Sequence, residues 1–266
     1  MRIQNLNEQC IECIPYKTVS PGCKIVNSEL PIIVGEITGL PPDIHAIVVT
    51  SDLQGIVIKD NKEILLGEEV AETLPLFFEI ELGINPQNTI VALCGDFYAS
   101  LEKRGGLGDV RNIWDRFNTN FKWVAGIAGN HDCFGDKSAF EEFIKTYGIL
   151  FLEKEFKQIE NMKIAGLSGI IGKPDRINRL DKDHYLSILQ RLLLKNPDIL
   201  ILHQTPKYPM NNLEGDENIT RIIEASNPVI VFCGHYHWSK PLVELKNTTQ
   251  ILNVDSRVVI LKNNTI

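Results

Sequence analysis

The sequence predicts an α/β fold in which two β-sheets pack together with helices outside them. Three observations carry that expectation. Apolar runs of strand length, among them Ala46-Ile47-Val48-Val49-Thr50, Thr89-Ile90-Val91-Ala92-Leu93-Cys94 and Val229-Ile230-Val231-Phe232-Cys233, alternate with segments whose apolar residues recur at spacings of three and four. Toward the end of the chain the alternation gives way to strands alone, as expected when a second sheet closes against the first. Strand after strand ends at a turn bearing Asp, Asn or His, which is where α/β proteins keep their chemistry.

At 266 residues the chain is expected to form a single domain over 1–266, with ordinary globular composition and no internal repeat. Its start, Met1-Arg2-Ile3-Gln4-Asn5-Leu6-Asn7-Glu8, has no apolar core of a leader, and no apolar run reaches membrane-spanning length. A cytoplasmic protein without membrane association is the expectation. The net charge of −7 gives no strong signal for duplex nucleic acid, although a local basic patch could still hold a phosphate. Cys10-x-x-Cys13 lacks a second pair of thiols or imidazoles and reads as two ordinary thiols, and Cys94, Cys133 and Cys233 read as small apolar residues at strand ends.

Residues 1–44 are broken by Pro15, Pro21, Pro31, Pro41 and Pro42 and read as an irregular N-terminal extension packed on the core, with short strands near 24–26 and 32–36. The run 46–50 is a buried strand, and Ile56 to Leu65, interrupted by Asp60-Asn61, is a hairpin. Val70, Leu74, Phe77, Phe78 and Leu82 mark a helix over 68–82, interrupted or kinked at Pro75. Thr89 to Cys94 and Lys122 to Ile127 are strands, and Ser138-Ala139-Phe140-Glu141 is a capping box for a helix closed by Gly148. Asp183 is the expected cap of a helix with the stripe Leu186, Leu189, Leu192 and Leu193. Ile199 to Leu202 forms a further strand, Ile219, Ile222 and Ile223 mark a helix, and strands at 229–233, 242–245, 251–254 and 258–261 complete the chain.

Five strand ends terminate in side chains able to bind a metal: Asp52, Asp96, Asn130, His203, and the pair His235 and His237. A lone Asp or His beside a turn is more often a hydrogen-bonding cap, but five in one chain are a pattern. Carboxylate, amide and imidazole donors suit a pair of first-row divalent ions rather than thiolate-bound zinc.

In order, Asp52-Leu53-Gln54, Gly95-Asp96, Gly129-Asn130-His131-Asp132, His203 and Gly234-His235-Tyr236-His237 resemble the calcineurin-like metallophosphoesterase superfamily, whose motifs run D-x-H, GD, GNH(D/E), H and GHxH. The resemblance spans about residues 46 to 240. It implies a four-layer α/β/β/α sandwich of two mixed β-sheets flanked by helices, with a binuclear metal centre across the strand ends. Asp52 and His237 are then ligands of a first ion, Asp96 bridges, and Asn130, His203 and His235 are ligands of a second. Two such cations, about 3.5 to 4 Å apart, polarise a phosphoryl oxygen, supply hydroxide near neutral pH and clamp an in-line displacement. In the same resemblance His131 contacts the phosphate or protonates the leaving oxygen, and Asp132 fixes its tautomer.

Gln54 stands where the family has histidine. Its amide oxygen is a weaker donor than imidazole toward Zn²⁺ or Fe, so the first position favours harder ions. Two divalent ions are expected, Mn²⁺ first, with Mg²⁺, Ni²⁺, Fe or Zn²⁺ as alternatives. Arg104 and Arg111, in the glycine-rich stretch between GD and GNHD, are candidate substrate contacts. The expected activity is hydrolysis of a phosphomonoester or phosphodiester of a small substrate such as a nucleotide. The rival reading is a catalytically weak scaffold that binds a ligand or partner after losing its first ion through Gln54.

Overall fold

The computed structural model describes residues 1–7 and 9–264, so residues 8, 265 and 266 of the expected 1–266 domain lie outside it. Three parallel strands, Ala46–Ser51, Thr89–Leu93 and Trp123–Gly126, lie side by side with Ala46 opposite Thr89 and Ile90 opposite Trp123. Because side chains alternate across a strand, each one feeds two cores. Val48 and Val91 meet Val70 and Leu74 of the helix Leu66–Phe77 and Trp114 of the helix Arg111–Asn120, whereas Val49 and Ile90 point the other way. There they meet Ile201, Phe232 and Leu252 of a second sheet.

The second sheet carries the parallel strands Met162–Leu167, Ile199–Leu202, Ile230–Cys233 and Gln250–Asn253, edged by the antiparallel strands Lys154–Ile159 and Leu242–Glu244. Leu200, Leu202 and Val231 turn outward onto Tyr185 and Leu189 of the helix Lys182–Leu193 and Ile219 and Ile223 of the helix Glu217–Glu224. Helices, sheet, sheet and helices therefore stack as a four-layer α/β/β/α sandwich. Purely apolar central strands are what two covered faces require. Among the described residues no helix is long and apolar enough to cross a membrane.

Several elements differ from expectation. Residues 1–44 are not irregular: Ile25–Thr38 is a 14-residue strand set between Arg257–Asn263 and Glu12–Val19, and Arg2–Leu6 pairs along it. Pro31 is tolerated because pairing with Arg257–Asn263 begins only at Ile32, leaving one neighbour at the proline. The helix Leu66–Phe77 runs through Pro75 and continues as a π turn, Phe78–Leu82, rather than breaking. Asp136, not Ser138, caps the helix Lys137–Phe143 by accepting the Ala139 N–H at 2.9 Å, and Asp181, not Asp183, caps the next by accepting that of His184 at 3.0 Å. Asp183 instead lies in the first turn, where its charge complements the helix dipole.

Candidate metal centre

Parallel pairing puts the carboxyl ends of Ala46–Ser51, Thr89–Leu93 and Trp123–Gly126 at one edge, so Asp52, Asp96 and Asn130 emerge together. Ile199–Leu202 and Ile230–Cys233 do the same in the second sheet for His203 and His235. Two hydrogen bonds join the groups across the sheets. His203 Nδ1 lies 2.9 Å from the Cys94 carbonyl, and the His235 backbone N–H donates to Asp52 Oδ2 at 2.9 Å. A carbonyl can only accept, so Nδ1 of His203 carries a proton and Nε2 faces Asp96 Oδ2 at 3.2 Å.

The turns themselves are held by a buried carboxylate. Asp132, 1% exposed, accepts the backbone N–H groups of Asp96, Phe97 and Gly129, each at 2.8 Å. Asp96 Oδ1 in turn accepts the His131 N–H at 2.8 Å. Asn178 closes the other side, donating to the carbonyls of Gly129 and Asp132 at 2.8 and 2.9 Å. Gly129 is required for space rather than for an unusual φ, since a Cβ there would collide with the Asp96 carboxylate. Asp52, Asp96 and His235 sit at φ 55°, 60° and 73°, a region that costs a non-glycine residue on the order of 1–3 kcal/mol.

Ligand atoms of Asp96, His203 and His235 lie within 4.8 Å of one another. Asn130 Oδ1 is buried without a hydrogen-bond partner, which a native site seldom leaves uncompensated, and the buried His203 Nε2 faces the Asp96 carboxylate. A divalent ion is the kind of partner that such donors would accept. The charges agree. Burial opposes the charged form of His203, but Asp96 and Asp52 outweigh it and raise its pKa to about 10. Burial and the neighbouring charged His203 lower His235 to about 4, leaving a free imidazole lone pair. Burial, with Asp255 and Asp96, pushes Asp52 well above the usual carboxylate range. So many acidic groups in one buried place favour a cation among them.

The sequence model of the calcineurin-like phosphoesterases matches residues 45–239. The chain belongs to the calcineurin-like phosphoesterase family. TT1561 of Thermus thermophilus superposes with a TM-score of 0.53 at 15% identity over 79% of this chain and 88% of its own, a likeness of fold. The sulfate thiohydrolase SoxB, also from Thermus thermophilus, gives 0.45 at 12% identity over 84% and 58%. An archaeal phosphodiesterase gives 0.36 at 16% identity over 78% and 82%. No curated protein matches the chain in sequence.

Within this phosphoesterase the expected residues divide. Asp96, His203 and His235 converge, His235 only partly buried, and Asn130 is buried on the turn next to the His131 amide that Asp96 holds. Asp52, Gln54 and His237 line the adjoining cavity, but each is engaged elsewhere: Gln54 Nε2 donates to Asp96 Oδ2 at 3.2 Å, and His237 meets Asp255 and Arg257. Asp132 does not orient the His131 ring, because its two oxygens are filled by backbone amides. The Gly106 carbonyl, 3.0 Å from His131 Nδ1, does so instead. Arg104 lines the cavity, whereas Arg111 is tied to Asp109 by its Nε and Nη2 and lines none of it. Asp255, Arg257 and Asn178 were not expected. Nothing in their local sequence marks them, since their partners lie tens to hundreds of positions away.

Two outcomes follow from this geometry. Asp132→Ala leaves three buried amides without an acceptor and is expected to lower folding stability by roughly 2–4 kcal/mol in urea titrations. Loading Mn²⁺ must displace the His203 proton, so affinity is expected to rise roughly tenfold per pH unit between about pH 6 and 8, with about one proton released per ion in calorimetry. Affinity independent of pH would contradict that assignment.

Proposed function

We propose that the protein hydrolyses a small phosphoester with a divalent ion held by Asp96, Asn130, His203 and His235. The single observation that carries the reading is the convergence of Asp96, His203 and His235 on one place, with the unpartnered Asn130 Oδ1 buried on the turn whose next amide Asp96 holds. The ion, Mn²⁺ by preference for this mixed oxygen and nitrogen set, would polarise a phosphoryl oxygen and make hydroxide available near neutral pH.

The chain's own residues supply the rest. His131 keeps a proton on Nδ1 because the Gly106 carbonyl can only accept, so Nε2 faces the reacting group. It lies 4.0 Å from Asp96 Oδ2, beside the ion ligands, and in the imidazolium form, with a second proton on Nε2, it would donate a hydrogen bond to a phosphoryl oxygen or pass that proton to the leaving oxygen. A cavity of about 490 Å³ opens beside the ligands, walled by residues 16–21, by the 98–105 loop and by His235 and His237. That volume suits a nucleotide-sized ester, and Lys17, Lys103 and Arg104 on its walls suit a second anionic group.

The motif pattern extends the reading to a second ion at Asp52, Gln54 and His237, and the hydrogen bonds of those three residues argue for a different arrangement. The scaffold reading is disfavoured by the intact group around Asp96, for which a partner-binding module has no need.

Nitrophenyl phosphate and bis-nitrophenyl phosphate assays across Mn²⁺, Mg²⁺, Ni²⁺ and Zn²⁺ test the proposal. Ion-dependent turnover of at least one ester is expected, reduced on the order of 100-fold or more in His131→Ala. Arg104→Ala is expected to raise KM roughly threefold to tenfold for a nucleotide ester with little change in kcat. Absence of turnover with both esters and all four ions would contradict the assignment.

A further inference from the structure

We infer that this chain holds one ion rather than two, because its first metal position has been rebuilt as a hydrogen-bond network supplied by Gln54 and Arg257. The inference rests on reading the group around Asp96 as a metal site.

The family's first position needs lone pairs from three side chains plus the bridging oxygen of Asp96. In this chain donors meet lone pairs on each of these groups, on Asp52 at one of its two oxygens. Asp52 Oδ2 already accepts the Ser51 hydroxyl at 2.7 Å and the His235 N–H at 2.9 Å. Gln54 turns its amide nitrogen, which has no lone pair to offer a cation, toward Asp96 Oδ2 at 3.2 Å. The free direction on the bridging oxygen is therefore taken by an N–H. Among the described residues, neither Asp52 nor His237 joins the convergent group of Asp96, His203 and His235.

Arg257 completes the change. It is 5% exposed, and its Nη2 donates to the Trp238 carbonyl at 2.8 Å while lying 3.1 Å from His237 Nε2 and 3.3 Å from Nδ1. A guanidinium nitrogen only donates, and with Nδ1 turned to a carboxylate the ring's remaining acceptor, Nε2, is the nitrogen nearer to it. The other, Nδ1, faces Asp255 Oδ1 at 3.2 Å. A permanent positive charge this close also repels a divalent ion at the same place.

The position of Arg257 in the fold explains how it arrives there. It begins the strand Arg257–Asn263, with Ser51 as its partner across the ladder, so the backbone delivers it beside the end of the strand that leads to Asp52. That strand lies beyond residue 239, where the match to the family model ends. The first position is thus altered from two directions, by Gln54 within the motif and by Arg257 from outside the matched region. In a one-ion site the second positive charge is built into the chain and does not exchange.

The test is to saturate the full-length protein with Mn²⁺, count ions by elemental analysis and record the electron paramagnetic resonance spectrum. One ion per chain with the hyperfine pattern of isolated Mn²⁺ is expected. Two ions per chain with an exchange-coupled spectrum, or no bound ion, would overturn the inference. In the double variant Gln54→His with Arg257→Leu, a second ion and a coupled spectrum are expected; a folded variant that still takes one ion would show that these residues are not the cause. If that variant fails to fold, the spectrum of the unaltered chain decides alone. Turnover of bis-nitrophenyl phosphate, measured on the same samples, separates the two readings: a coupled pair with turnover ends this inference and keeps the hydrolase, and one isolated ion without turnover does the reverse.

Discussion

The carboxylate of Asp132 is the contact on which the centre depends. It is buried, and instead of hydrogen-bonding the ring it was expected to orient it accepts three backbone amides drawn from two different turns. A carboxylate aimed at several N–H groups is among the strongest local fasteners available to a chain, because each bond is assisted by charge. It holds the Gly95-Asp96 turn against the Gly129-Asn130 turn. Asp96 can then point one oxygen at the His131 amide and the other at His203. Asn130 is carried into place on the same turn, with its oxygen buried and unpartnered.

The second sheet reaches the centre by a different route. Its histidines are anchored to the first sheet through the Cys94 carbonyl and the Asp52 carboxylate, so sliding of one sheet over the other would break both bonds. The left-handed backbone at Asp52, Asp96 and His235 shows where the strain of this convergence is stored. Rigid strands with short strained turns are a suitable frame for ligands that must be set before an ion arrives. The apolar sandwich between the sheets, with Val49, Ile90, Ile201 and Phe232 in one cluster, supplies the stability against which that strain is balanced.

Much of this was legible in the sequence because metal chemistry concentrates at strand ends, where a short apolar run followed by Asp, Asn or His is visible without any partner. The layers were legible for a related reason: strands buried on both faces are apolar throughout. What could not be read depends on distant pairing. The long strand Ile25–Thr38 is dotted with polar residues and a proline, and only its neighbours Arg257–Asn263 and Glu12–Val19 make a strand of it. Arg257 stands just before the strand expected over 258–261 and drew no role in sequence; only the ladder with Ser51 carries it to His237. Asp132 was misread because neighbours in sequence invite a pairwise role, whereas its real partners include two amides from a turn 35 and 36 residues earlier.

The central claim is that Asp96, Asn130, His203 and His235 form a ready-made divalent-ion site. Diffraction from crystals soaked in Mn²⁺, recorded at the manganese edge, tests it most directly. The account predicts an anomalous peak within coordination distance of all four side chains, with Asp132 still clamping its three amides. A manganese peak elsewhere in the protein, or none among these four residues at saturating ion, would contradict it.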